Sequence, residues 1–581
     1  MVTGNTSPTM DMRRRINKGS AYSTTSKSDS GGENKKSEKS VAAAGGGSAE
    51  EKLSAASNKT AASSGNKRSL TFAIGGVLTL IGVTGYAFLR SPKSGTEINT
   101  TPSSTVAGSE LQPTALQTPL ESVAVKRSDA RRKLDGLTRE QRREEARRLG
   151  MLTEDEVDAI LTAKETSWGL RGAKGLRLRV DANQVSSNDP IEDYLMWKPL
   201  ETHDPEQQQE QQQTARYMFG VFDGHAGYLC AEQIAARIGP MVESALEIIK
   251  QMPSFPTTES KDSATAAVVK AGSRNSTKLQ STIGQLRREA GLDWDRTSLA
   301  LTASFINMDY ELVEGALAQY RRLQDASKLD ELLGPAVSGS CGLVAVVDAE
   351  SNEVVVANTG DSRALLGVRL KSGRWKAVRL SEDQTGSSAT EIARMKREHP
   401  GEEHTVVSRG RVLGGLMPSR AFGDCRYKWP LEVQQDLFPI LRSRGHRYAS
   451  TPSNFATPPY VTAKPVIVRH QLNENDKFIV IASDGLYDQL SDAEVVDSVA
   501  QWYEANGTTA NAEDSAATTH DKNAATHLIR SALSTDRLGR RSDSVIRRLL
   551  AIPPPHSRSF RDDISVTIVT LDRDTSKETA K

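Results

Sequence analysis

The chain has 581 residues, but its composition changes along its length, so length alone would overstate the number of domains. The formal net charge of +2 gives no reason to expect nucleic acid as a partner. Cys230, Cys341 and Cys425 are far apart and include no Cys-x-x-Cys pair, which argues against a disulfide scaffold and against a thiolate zinc site.

The N-terminal segment over residues 1–69 is rich in Ser, Gly, Lys, Asn and Thr. It carries too few large apolar side chains to offset the entropy that ordering would cost. We therefore predict that it is disordered. Its basic residues, among them Arg13-Arg14-Arg15, indicate targeting and not binding to nucleic acid.

The run Leu70–Leu89 has 20 residues and no charge, and it is bracketed by Lys67-Arg68 on one side and by Arg90 and Lys93 on the other. This length spans the hydrocarbon core of a bilayer, so the run predicts a transmembrane helix. A buried core helix is the alternative. The flanking segments supply no core that could bury it, which favours the membrane.

Four further segments follow. Residues 90–125, with repeated Thr, Ser and Pro, predict a linker, and the charge-dense residues 126–175 predict surface helices. Residues 176–571 alternate short β-rich runs with amphipathic segments and are the predicted catalytic domain, followed by a C-terminal tail over 572–581. Three low-complexity stretches inside the domain, 207–213, 257–276 and 506–521, predict surface loops.

Aspartates recur at the ends of predicted strands. Asp223-Gly224 and Asp484-Gly485 follow apolar runs, and Asp562 precedes one. One Asp-Gly pair alone is most often a turn, but several converging acids repel one another unless cations neutralise them. Oxygen ligands without His or Cys suit Mg²⁺ or Mn²⁺. The predicted strands are Tyr217–Asp223, Cys341–Asp348, Glu353–Asn358, Lys477–Asp484 and Ile564–Leu571.

These motifs resemble the type 2C metal-dependent protein phosphatases, and within them the mitochondrial pyruvate dehydrogenase phosphatases, over about residues 176–571. A fungal mitochondrial branch is similar at further positions. The motifs that carry the resemblance include Val221-Phe222-Asp223-Gly224-His225-Ala226-Gly227, Ala357-Asn358-Thr359-Gly360-Asp361-Ser362-Arg363-Ala364, Pro418-Ser419-Arg420-Ala421-Phe422-Gly423-Asp424, Ala482-Ser483-Asp484-Gly485-Leu486 and Arg561-Asp562-Asp563.

The resemblance implies an α+β fold, in which a central β-sandwich of two antiparallel sheets is flanked by helices. It also implies two Mg²⁺ or Mn²⁺ ions that activate a water molecule for attack on phosphorus. The implied metal ligands are Asp223, the backbone carbonyl of Gly224, Asp484 and Asp562, with Glu192 holding metal-bound water. His225 is the implied general acid. The implied ligands of an additional metal are Asp193, Asp361 and Asp488.

The chain departs from many family members at two positions. Asn188 stands where many relatives carry an arginine that binds the substrate phosphate, although the pyruvate dehydrogenase phosphatase branch also has Asn. Phosphate binding therefore stays unassigned. Asp563 stands where many relatives have Asn, which adds negative charge beside the site.

The resemblance implies a protein serine/threonine phosphatase of the mitochondrial inner membrane, with pyruvate dehydrogenase E1α as the implied phosphoprotein substrate. Two alternatives are the same enzyme on a secretory-pathway membrane and a pseudophosphatase that only binds. An intact set of acids argues against the second. A helix inserted with its N-terminus in the matrix would place the catalytic domain away from a matrix dehydrogenase, so the side that the domain faces stays open.

Overall fold

The computed structural model describes residues 118–200, 216–252, 274–290, 295–506, 520–536 and 538–573. Within these ranges, no helix combines the length and the apolarity that crossing a bilayer requires. The predicted transmembrane segment Leu70–Leu89 lies outside the described residues, as do the N-terminal segment and nearly all of the predicted linker. The low-complexity stretches also fall largely outside them.

The described strands form two large antiparallel sheets. The 6-stranded sheet has, in spatial order, β1 (Thr166–Arg171), β2 (Leu176–Val185), β16 (Ile564–Arg573), β15 (Asp476–Ala482), β9 (Arg363–Arg369) and β10 (Trp375–Arg379). The 5-stranded sheet has β14 (Val466–Gln471), β8 (Glu353–Thr359), β7 (Gly342–Asp348), β4 (Arg216–Phe222) and β3 (Tyr194–Leu200). Short pairings link β5 (Gly224–His225), β6 (Gly339–Ser340) and β13 (Phe422–Gly423), and separately β11 (Val407–Ser408) and β12 (Arg411–Val412).

Helices precede, interrupt and cover these sheets. They are α1 (Pro119–Leu134), α2 (Arg139–Ala146), α3 (Glu154–Thr162), α4 (Leu229–Gln251), α5 (Arg274–Ala290), α6 (Arg296–Tyr310), α7 (Ala316–Leu323), α8 (Leu329–Val337), α9 (Ala389–Glu398), α10 (Leu431–Ser443), α11 (Asp484–Tyr487), α12 (Asp492–Asn506), α13 (Ala524–Ser534) and α14 (Asp543–Leu549). A π-helical turn, Glu311–Gly315, joins α6 to α7.

The apolar strands are buried on both faces, as β15 illustrates. Ile479 and Ile481 pack into the core between the two sheets, whereas Phe478, Val480 and Ala482 pack on the opposite face against α12, α13 and α14. Alternate side chains of a strand point to opposite faces, so burial on both faces requires an uninterrupted apolar run. The predicted sandwich of two antiparallel sheets flanked by helices is confirmed.

Several predicted strand ends shift by one or two residues, and three differences matter more for the fold. Strand β15 ends at Ala482, so Asp484 begins helix α11 and does not end a strand. Strand β1 belongs to the 6-stranded sheet, although residues 126–175 were expected to be helical. Helix α1 begins at Pro119, inside the predicted linker. The Thr118 side chain and Glu121 cap each other's backbone N–H groups there, a signal that Thr-Pro-Leu-Glu carries in the sequence.

Helix α1 is part of the folded unit. Its last residue, Leu134, is fully buried and packs with Ala146 and Ile552. Arg127 donates to the backbone carbonyl of Leu550 (Nη2···O 2.9 Å). The helices before residue 176 therefore pack on the C-terminal part of the domain, next to the segment that leads into β16.

Candidate active site

The strand registers bring the predicted site residues to one end of the sandwich. In the 5-stranded sheet, Phe222 at the end of β4 pairs with Tyr194 at the start of β3, so Asp223 lies near Glu192 and Asp193. This pairing places acids from two separate parts of the sequence beside each other.

The other sheet contributes its acids at the same end. Ala482, the last residue of β15, pairs with Arg363 at the start of β9 and with Val566 near the start of β16. Asp484 therefore lies beside Asp562, and Asp361 lies in the connection that carries the chain from one sheet to the other.

Three of the carboxylates meet directly. Asp223, Asp361 and Asp484 each present an oxygen, and these oxygens lie within 4.8 Å of one another. The backbone N–H of Asp484 also points to Oδ2 of Asp223 at 3.3 Å. Asp361, which the resemblance implied only for an additional metal, is thus a central member of the cluster.

The glycines of the two Asp-Gly pairs allow the neighbouring segments to approach. A Cβ atom at Gly224 would overlap the backbone carbonyl oxygen of Glu192, and one at Gly485 would overlap that of Asp563. Each aspartate is thus followed by a residue without a side chain, because the segment carrying the next acid packs against the backbone at that point.

The charge of this cluster is unfavourable without cations. Burial raises the pKa of Asp223 well above its ordinary value, and the negative charge of Asp484 raises it further. Burial and the charge of Asp361 raise the pKa of Asp484 in the same way. Burial also raises the pKa of Asp562 to about 6, although the positive charge of Arg558 opposes the shift. A bound cation would relieve this repulsion.

Asp563 organises the segment that carries Glu192. Its Oδ1 accepts hydrogen bonds from the backbone N–H groups of Ser187 and Asn188, and its Oδ2 accepts from the Asn188 side chain (3.0 Å) and from the Glu192 N–H (2.9 Å). Asp563 is 2% exposed. The carboxylate that distinguishes this chain from many relatives therefore holds the 187–192 segment in place.

Two of the acids implied for an additional metal lie around the cluster. Asp193 is buried and accepts a hydrogen bond from the Ser483 hydroxyl at 2.7 Å. Burial and the charge of Asp563 raise the pKa of Asp193. Asp488 lies at the end of α11 and is largely open to solvent, and the partial desolvation of its carboxyl raises its pKa although the charge of Arg558 opposes the shift. The predicted carboxylates thus share one end of the sandwich.

His225 is paired with a carboxylate that we did not single out in the sequence. Its Nε2 lies 2.6 Å from Oδ2 of Asp424, which is 3% exposed. Burial alone would lower the pKa of His225, but the charge and the hydrogen bond of Asp424 outweigh burial and raise it. The imidazolium form is therefore favoured, which is the form that can donate a proton.

Comparison with known proteins identifies the family. The model of the family described as protein phosphatase 2C matches residues 286–537. The chain is 31% identical over 458 residues to the mitochondrial pyruvate dehydrogenase (acetyl-transferring) phosphatase 1 of Saccharomyces cerevisiae, covering 72% of this chain and 73% of that protein. It is 34% identical over 415 residues to a protein phosphatase 2C homolog of Schizosaccharomyces pombe, covering 68% of this chain and 81% of that protein.

A human relative, the mitochondrial pyruvate dehydrogenase (acetyl-transferring) phosphatase 2, is 32% identical over 464 residues, covering 72% of this chain and 83% of that protein. This chain belongs to the protein phosphatase 2C family. The resemblance seen in the motifs is confirmed, and the chain is a protein serine/threonine phosphatase.

The donor set of this phosphatase 2C site fits divalent cations. Asp223, Asp361 and Asp484 supply oxygen atoms, and the raised pKa values reflect a cluster that needs positive charge. A site made of oxygen ligands suits Mg²⁺ or Mn²⁺ better than zinc.

Two residues of the phosphatase site escaped prediction for a physical reason. Asp424 lies in the motif that ends in Gly423-Asp424, but nothing local relates it to His225, which is 199 residues away. Arg558 lies in no recognised motif, and its guanidinium meets Asp562 at 2.7 Å. The spacing of four residues between Arg558 and Asp562 was the only signal available.

Proposed function

We propose that this phosphatase hydrolyses phosphoserine and phosphothreonine on a protein with two Mg²⁺ or Mn²⁺ ions held by Asp223, the Gly224 carbonyl, Asp484 and Asp562. Glu192 would hold a water molecule of the site. The observation that carries the proposal is the meeting of half-buried and buried carboxylates from both sheets at one end of the sandwich. Bound cations would supply Lewis-acid activation of water and neutralise charge on the phosphoryl oxygens.

The remaining acids have supporting roles in this proposal. Asp361 meets Asp223 and Asp484 and would take part in an additional cation site with Asp193 and Asp488. The oxygen-only donor set supports this assignment, because it offers hard cations several carboxylates within one small region.

His225 is proposed to protonate the leaving serine or threonine oxygen. Asp424 holds its Nε2 and raises its pKa, which favours the protonated form that can serve as an acid. Asp424 is then a positioning residue. The intact carboxylate cluster and the pairing of His225 with Asp424 together favour catalysis over the pseudophosphatase alternative.

The names of the relatives support a mitochondrial location and phosphorylated pyruvate dehydrogenase as the substrate, and we propose its E1α subunit as the part that is dephosphorylated. We propose in addition that Leu70–Leu89 anchors the chain in the inner membrane, as its apolar length suggests. Protease protection of the C-terminal domain in intact mitochondria and in mitoplasts would tell which side of the membrane it faces. Recovery of the protein in the secretory-membrane fraction instead of the mitochondrial fraction would contradict the mitochondrial location.

The chemical proposal is tested by phosphate release from a phosphopeptide. Activity should disappear after exhaustive treatment with EDTA and return with Mn²⁺ or Mg²⁺. Asp484→Asn should lose both rate and metal affinity, because it removes one charge from a site that concentrates cations. Asp436→Asn, on the exposed face of α10, is the matched control and should behave as wild type. Full activity after complete metal removal would contradict the two-metal proposal.

A further inference from the structure

The substrate poses an electrostatic problem at this site. A phosphate monoester is a dianion at neutral pH, and it must approach a cluster that includes Asp223, Asp484 and Asp562. Resting on the proposed phosphatase function, we infer that Arg558 is the residue that binds the phosphate group of the substrate.

Arg558 is a cation that interacts electrostatically with several acids of the site. Its guanidinium pairs with Asp562 (Nη2···Oδ2 2.7 Å) and interacts electrostatically with Asp484, Asp563 and Asp223. The same positive charge acts on acids at the edge of the site, Asp488 and Glu192. The Arg558 guanidinium therefore lies beside the carboxylate cluster, in contact with its member Asp562.

The backbone of Arg558 is held firmly while its side chain stays accessible. It lies in the 3₁₀ turn His556–Ser559, in which its N–H donates to the carbonyl of Pro555 at 3.2 Å. The preceding residue, Ser557, is fully buried and donates from its hydroxyl to the carbonyl of Ser187 at 2.7 Å. The Arg558 side chain is 51% exposed, so a ligand from solvent can reach it.

Two other donor side chains beside the site are engaged or buried. The Asn188 amide donates to Asp563 and Glu192, which uses both of its N–H groups. The Arg561 guanidinium is buried and donates to the carbonyls of Ser186 and Asp562. Neither of these side chains is available for a phosphate.

Guanidinium chemistry suits this role. The planar group carries five N–H donors in a fork that matches two oxygens of a phosphate. Among the described residues, the Arg558 side chain is ion-paired with Asp562 alone, so several donors are left for a ligand. The neighbouring Lys164, which interacts with Asp563, is the competing candidate.

The test measures phosphate binding directly. Titration calorimetry with inorganic phosphate on the full, Mn²⁺-loaded protein would compare wild type with Arg558→Gln, Arg558→Lys and Lys164→Gln. Arg469→Gln is the matched control, because Arg469 lies on the outer strand β14, is 47% exposed and is ion-paired with Glu353. Circular dichroism and thermal unfolding verify that each variant is folded.

We expect Arg558→Gln to weaken phosphate binding by about 10- to 100-fold, the effect of losing a charge-assisted bidentate contact. The KM for a phosphopeptide should rise in parallel, with a smaller fall in kcat, and Arg558→Lys should recover part of the loss because it restores charge without the fork. Lys164→Gln and Arg469→Gln should bind phosphate as wild type does.

Equal dissociation constants of phosphate for wild type and Arg558→Gln would overturn the inference. If Arg558→Gln then differed from wild type only in the Mn²⁺ concentration that it needs, Arg558 would act as a counter-ion of Asp562. A loss in Lys164→Gln alone, or wild type that binds no phosphate, would overturn it too. If wild type bound phosphate but released none from phosphopeptides, the proposed function would fail, and the binding comparison would still decide the role of Arg558.

Discussion

Replacing Asp424 with Asn tests whether His225 works as a general acid supported by a buried carboxylate. The substitution keeps the size of the side chain and removes the charge that lies 2.6 Å from Nε2 of His225. Burial, which lowers the pKa of His225, would then be opposed only by the smaller effects of the Asp361 and Glu192 charges. The histidine should lose its proton at a lower pH than in wild type.

The size of the effect follows from the hydrogen bond that is lost. A hydrogen bond to a charged group contributes about 1.5–3 kcal/mol, and each 1.4 kcal/mol corresponds to tenfold in an equilibrium. The proton affinity of His225 should therefore fall by about 10- to 100-fold. This loss lies within the ~10²–10⁴-fold that general acid assistance is usually worth, which is the loss expected for His225→Gln.

The assay compares two substrates across pH at saturating Mn²⁺. With a phosphopeptide, Asp424→Asn should reduce kcat, and the decline of kcat on the alkaline side should begin at a lower pH. The loss should be much smaller with p-nitrophenyl phosphate, because its acidic leaving group hardly needs a proton. Metal affinity should stay close to that of wild type, since neither residue is a proposed metal ligand.

The double variant separates a shared role from two independent ones. If Asp424 acts through His225, then His225→Gln combined with Asp424→Asn should lose no more activity than His225→Gln alone. Additive losses would refute the pairing. An unchanged pH profile in Asp424→Asn, or equal losses on the phosphopeptide and on p-nitrophenyl phosphate, would refute the general-acid role itself.

Three further predictions concern the metals and the scaffold. Zinc should not replace Mn²⁺ in restoring activity after chelation, because the donor set is made of oxygens; equal phosphate release with zinc would contradict this. A chain that begins at residue 118 should be folded and active. A chain that begins at residue 136 should lose at least about 3 kcal/mol of stability, because it exposes the site where Leu134 packs. Urea unfolding measures the difference in stability, and equal unfolding midpoints for the two chains would contradict this prediction. Burial would raise the pKa of Glu391, but hydrogen bonds from Arg420 and Arg394 outweigh burial and hold this pKa at about 2. The ionised Glu391 therefore stabilises the fold fully above pH 4.5, its pKa in the unfolded chain, and this stabilisation is lost as the pH falls toward 2. Glu391→Gln should therefore destabilise the protein by about 3 kcal/mol at pH 7 and by progressively less below about pH 4.5, and a pH-independent difference in urea unfolding would contradict this assignment.

Elements that depend on local sequence pattern could be predicted without the structure. The uninterrupted apolar run of β15 predicted a strand, and Asp223-Gly224 and Asp484-Gly485 indicated acids where the chain turns. The capping signal at Thr118 was also present in the sequence, although the Thr/Ser/Pro composition around it led us to predict a linker there. Burial, capping and turn formation are encoded by neighbouring residues, so they can be predicted without knowing the tertiary structure.

Which distant groups meet depends on the folded structure. Folding brings carboxylate oxygens of Asp361, Asp223 and Asp484 within 4.8 Å of one another and pairs His225 with Asp424. It also turned Asp563 toward the segment that carries Glu192 instead of toward solvent. These contacts depend on which strand ends lie side by side, and strand register is set by the packing of the whole sandwich and not by any residue close in sequence.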